Sequence, residues 1–147
     1  MSSSVTLAQA SIIVDKALEK GRELRLHPLT VVVLDAGGHP VVVKRADGSG
    51  IMRVDLATGK AWGALGMGLG SRDLAGRAAK QPTFFAALAA VSQGRLVPVP
   101  GGVLVREAGG GIIGAVGVSG DISDNDEKCA IAGIQAAGLT ADPGKGE

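Results

Sequence analysis

The side chains able to act on a ligand lie close to glycine-rich turns. His39 stands in Asp35-Ala36-Gly37-Gly38-His39-Pro40, between two apolar runs. An imidazole there is accessible and can be an acid, a base, a ligand contact or an ordinary turn residue. His27 precedes Pro28 at a predicted helix end, where a ring cation would complement the helix dipole. Arg45 and Asp47 close the first predicted hairpin, and Lys60 follows on the next helix. Two cations with a carboxylate orienting one of them can hold an acid group, or simply form an exposed rim of salt bridges. Gly101-Gly102 supplies consecutive backbone N–H groups of the kind that hold an oxyanion. With Lys60 or His39 as acid/base, these residues describe an enzyme acting on a small organic acid.

Other strings fail on context. Gly109-Gly110-Gly111-Ile112-Ile113-Gly114 matches a dinucleotide-binding pattern, yet a Val/Ile strand follows it where a helix should open. Gly59-Lys60 ends like a phosphate-binding loop, but Val54 and Ala61 occupy the positions that need Gly and Ser/Thr. Two histidines cannot make a three-histidine zinc site. Asp121, Asp124, Asp126 and Glu127 lack the loop spacing of a calcium site and read as helix-capping charges. Cys129 reads equally as a small buried hydrophobe or a thiolate.

The elements that must position these residues follow from periodicity. Thr6 and Gln9 fit a capping box, and apolar residues recur at helical spacing to about Arg22. Leu29 to Leu34 is a continuous β-branched run suited to a strand covered on both faces, and Val41 to Arg45 returns as its hairpin partner. Val54, Ala57, Ala61, Ala64, Leu65 and Gly68 mark a helix face built of small residues, with Lys60 and Trp62 off the stripe. Gly59, Gly63 and Gly66 weaken that helix by about 1 kcal/mol each, which close backbone packing must offset. Ser71 and Thr83 are expected to cap two short helices. Val97 to Gly102 is an edge or loop because its prolines lack the ladder N–H. Val103 to Glu107 and Ile112 to Ser119 form a second hairpin, Ser123 caps the last helix, and residues 140–147 read as a loose tail. Paired antiparallel strands with segregated helices make the fold class α+β.

Composition narrows the function. The chain has 147 residues, 24 of them Gly, with two Phe, one Trp and no Tyr, and a net charge of +1. Neither a basic footprint nor aromatic stacking platforms are present, so nucleic acid is not the expected partner. One cysteine permits no internal disulfide, and the apolar stretches are too short and glycine-broken to span a bilayer. The expectation is a cytoplasmic protein away from membranes.

Val31-Val32-Val33-Leu34-Asp35-Ala36-Gly37-Gly38-His39, Arg45-Ala46-Asp47-Gly48, Ala57-x-x-Lys60-Ala61, Gly101-Gly102-Val103 and Ile113-Gly114-Ala115-Val116-Gly117-Val118-Ser119-Gly120 with Asp126 resemble the GlcG/HbpS family, which includes the C-terminal domain of PduO-type proteins. The likeness runs from about Leu7 to Leu139, and residues 1–147 are expected to form a single such domain. It implies a profilin-like α+β fold, a central antiparallel sheet flanked by helices, homo-oligomers, and a ligand that is haem or a related tetrapyrrole. It also implies a binding set of His39, Arg45, Asp47, Lys60, Gly101, Gly102 and Ser119, with Arg45 and Lys60 neutralising propionates. By chemistry alone His39, Met52, Met67 and Cys129 could ligate iron, and of these only His39 is expected to. Ala46 and Leu104 stand where the family pattern carries Met and Pro.

Overall fold

The computed structural model describes residues 3–146. The elements run α1 (Leu7–Glu23), β1 (Thr30–Asp35), β2 (Pro40–Arg45), α2 (Arg53–Met67), α3 (Ser71–Lys80), α4 (Pro82–Val91), β3 (Gly102–Arg106), β4 (Ile112–Ser119), α5 (Ser123–Ala136) and β5 (Thr140–Asp142). The five strands form one antiparallel sheet in the order β2-β1-β4-β3-β5. The α+β expectation, with a central sheet flanked by helices, is met.

Strand alternation divides the interior in two. Val31, Val33, Val103, Val105, Val116 and Val118 face a core shared with α1 and α5, where Ile13, Val14 and Ile134 are fully buried. Val32, Leu34, Leu104 and Ala115 face α2 through Ala57, Ala61 and Ala64. Register places Val31 opposite Val118 and Leu34 opposite Ala115, so each layer is continuous across β1 and β4. β1 is covered on both faces, as its unbroken apolar run requires. β2 is the exposed edge, where Pro40, Lys44 and Arg45 discourage further strand pairing.

The α2 backbone rests directly on the sheet. Gly102 and Gly117 are register partners, and a β-carbon on either would lie 2.2 Å from Lys60 O or 1.8 Å from Ala57 O. Gly59 likewise admits Val97, whose N–H donates to the Gly59 carbonyl, and Gly63 admits Leu96. The expected backbone packing is therefore present at Gly59 and Gly63. Gly66 is exposed and does not share it.

Thr6 and Gln9 form the capping box. Three other caps shift by a residue or two. Gly70 caps α3, leaving the Ser71 hydroxyl to accept from the Gly102 N–H. Pro82 fits the first position of α4, so Gln81 precedes it in place of Thr83 as cap. Ile122 precedes α5, and the Asp126 carboxylate accepts the Asp121 N–H. The expected loose tail is corrected over residues 140–146. Thr140–Asp142 pairs with β3, Pro143 O accepts from Arg72 N–H, and Asp73 Oδ1 accepts the Lys145 and Gly146 N–H groups.

Candidate functional site

Lys60 is the largest departure from the expected site. Helix α2 turns it inward, to the end of the sheet where β4 stops. There its ammonium donates to Val118 O at 3.0 Å and Asp126 Oδ2 at 3.2 Å. The two side chains are 4% and 1% exposed. Burial pushes the ammonium below the usual lysine range against the opposing pull of Asp126, and pushes the Asp126 carboxyl up. The pair ties α2 to α5 across the sheet end. Lys60 consequently lies in the interior and does not share a rim with Arg45 and Asp47, which are both exposed.

Gly101-Gly102, the pair expected to hold an oxyanion, lies beside Lys60. The Gly102 N–H is occupied by Ser71 Oγ at 2.7 Å, and Gly101 uses φ +120° to pass beside Lys60. Both glycines serve the approach of α2. Ser119 is fully buried, and its hydroxyl accepts from Arg53 Nη1 at 3.1 Å. Beside it, Thr30 and Ser49 share a hydroxyl bond of 2.8 Å. Arg53, which the residue types alone did not single out, thus joins Lys60 as a cation at this strand end.

The accessible chemistry lies at the histidines. In the His39 turn, Asp35 Oδ1 accepts the backbone N–H groups of Gly37 and His39 at 3.0 and 2.9 Å, with His39 Nδ1 at 3.5 Å. The His39 N–H holds the Asp35 carboxyl below its usual range. A cleft of about 220 Å³ beside this turn is lined by Gly37, Gly38, Trp62 and Leu65. The Arg95 guanidinium covers the Trp62 ring from 4.1 Å.

His27 is held more firmly. Asp121 Oδ1 lies 3.0 Å from His27 Nδ1 and accepts the His27 N–H at 3.1 Å, while Asp121 Oδ2 accepts from Asn125 Nδ2 at 2.8 Å. The Asn125 bond, then the His27 N–H, pull the Asp121 carboxyl down to about 2. Leu18, Gly21, Arg22, Leu26, Pro28 and Leu29 line an adjoining cleft of about 260 Å³, with Asp47 at its rim. Arg45 is exposed at the end of β2. The 94-residue separation between His27 and Asp121 left no local signal for this arrangement.

Of the iron ligands allowed by chemistry, Cys129 is excluded by position. It is fully buried between α1 and α5, and burial pushes its thiol up to about 11. The described residues contain no group of three or more His, Cys, Asp or Glu able to hold a metal ion. No helix among them is long and apolar enough to cross a membrane.

An antiparallel sheet with α1 and α5 on one face and α2 on the other is the architecture of the HbpS/DUF336 fold. The chain matches the HbpS-like family model, described as haem degrading protein HbpS-like, over residues 5–135, and it belongs to that family. PduOC, solved as a haem complex, is similar with a TM-score of 0.83 at 25% identity, over 97% of this chain and 99% of its own. A double mutant of Streptomyces reticuli HbpS has a TM-score of 0.80 at 31% identity, over 92% of this chain and 88% of its own. A 15.0 kDa Citrobacter freundii protein from the dhaT-dhaS intergenic region is 28% identical over 123 residues, 84% of each chain.

Proposed function

We propose that this protein binds haem or a related tetrapyrrole as a homo-oligomer in the cytoplasm. The observation that carries the reading is the likeness to the haem complex of PduOC over nearly the whole chain. The residues present fit such a group. Two exposed imidazoles each have Nδ1 turned toward a carboxylate, an arrangement that leaves Nε2 outward as a metal donor. Arg45 and Arg22 are cations able to meet propionates. Bound haem would supply iron ligand exchange and redox chemistry, while the chain supplies the donor nitrogen, the cations and apolar cover.

Self-association has its own support. Helix α4 reads Pro82-Thr83-Phe84-Phe85-Ala86-Ala87-Leu88-Ala89-Ala90-Val91, yet Phe84 is 49% and Val91 79% exposed. A helix apolar on all sides is normally covered. The His27 cleft, at about 260 Å³, also falls below the roughly 300–1,000 Å³ that encloses most of a small ligand. A second copy would complete it. Titration of the purified protein with hemin should give a saturable Soret shift, and its absence would remove the haem reading.

A further inference from the structure

Two imidazoles are available, and the structure separates them. We propose that His27, through Nε2, is the residue that would ligate the iron, with Leu18, Leu26 and Pro28 of the adjoining cleft as apolar cover and Arg22 as the cation that would meet a propionate. This inference rests on the haem reading above and names its site.

A metal-bound histidine needs its other nitrogen fixed, because that bond sets both the tautomer and the direction of the donor lone pair. At His27 the bond is made at 3.0 Å to a carboxylate that is 10% exposed and held in turn by Asn125 and by the His27 backbone. At His39 the corresponding distance is 3.5 Å, beyond a good hydrogen bond, and Asp35 Oδ1 already serves two backbone donors. The His27 ring is 84% exposed, so Nε2 is reachable from outside.

The backbone leading to His27 is fixed as well. Helix α1 ends with Arg25 at φ +57°, where the Leu26 N–H bonds back to Gly21 O at 2.9 Å and the Arg25 N–H to Arg22 O at 3.1 Å. This is a Schellman-type end, with arginine at the left-handed position that glycine usually takes. It sets Arg22, Leu26 and His27 around one cleft. The imidazole is thus anchored at its Nδ1, at its own N–H and at the preceding turn, and it borders apolar cover and a cation.

The test is hemin titration of wild-type protein, His27→Ala, Asp121→Asn and His39→Ala, read by Soret position and dissociation constant, with far-UV circular dichroism as the check on folding. Expected is loss of the nitrogen-ligand spectrum in His27→Ala, its return on adding free imidazole, and weakening by about 10–100-fold in Asp121→Asn, the range for loss of a carboxylate behind a ligating histidine. Wild-type binding with an unchanged His27→Ala spectrum would overturn the assignment alone, as would loss of the spectrum in His39→Ala only. A wild-type protein without a saturable Soret band would overturn the haem reading and this assignment together.

Discussion

Replacing Gly117 with alanine should damage the fold out of proportion to the single methyl group added. The new β-carbon would sit 1.8 Å from Ala57 O and 2.7 Å from Ala57 C. Both are backbone atoms of α2, so neither can swing aside as the end of a flexible side chain would. Relief requires α2 to lift away from β3 and β4, opening the layer of Ala57, Ala61 and Ala64 over Leu34 and Leu104. Overpacking that moves backbone belongs at the upper end of its usual range, about 3 kcal/mol. For a chain of this size that corresponds to a fall in Tm of roughly 6–12 °C. Urea and thermal denaturation followed by far-UV circular dichroism measure it. Gly109→Ala is the control, because nothing lies within 4 Å of its β-carbon. If Gly117→Ala stayed within about 0.5 kcal/mol of wild type, the level of an ordinary surface change, the account of α2 lying directly on the sheet would be wrong.

Lys60→Met should destabilise by about 3–5 kcal/mol because it strands the buried Asp126 carboxylate. Adding Asp126→Asn, which keeps the acceptor for the Asp121 N–H, should recover most of that loss in a denaturation double-mutant cycle. Asp121, drawn from 3.8 down to about 2, contributes stability that is fully present above the unfolded value and is lost as pH falls through the folded one. Asp121→Asn should flatten the stability–pH curve across that acid window, and an unaltered curve would contradict the His27–Asp121–Asn125 geometry. Cys129, with its thiol raised to about 11 by burial, should resist Ellman's reagent in the native protein and react fully once unfolded; rapid native labelling would show an open α1–α5 contact.

Much of the fold was legible because its signals are local. The capping box at Thr6, the continuous run of β1 and the proline-interrupted segment before β3 each depend on neighbouring residues, and each appears where periodicity placed it. The site was less legible. Lys60 looked like a rim cation because its helix position lies off the Ala/Gly stripe, yet the slender stripe lets α2 sink far enough for the ammonium to reach Asp126. Gly101-Gly102 resembled an oxyanion hole because sequence shows free N–H groups and not the Ser71 hydroxyl that occupies one of them. Asp121 was visible only as one acid among four. Its role comes from α1 and α5 being brought together across most of the chain, which no spacing rule reports. Arg53 and Trp62 were missed as site neighbours for the same reason.

The clasp made by residues 143–146 bears on the order in which the molecule becomes cohesive. Asp73, at the start of α3, accepts from Lys145, 72 residues later in the chain, and Arg72 donates to Pro143. During synthesis α3 and α4 therefore emerge well before their fastening. Until β5 zips onto β3, α3 lacks its contacts with residues 143–146. The two segments should then open and close as one cooperative unit, leaving the β1–β4 centre intact. In such a unit the sheet edge acts as a latch for the helix that packs beside it.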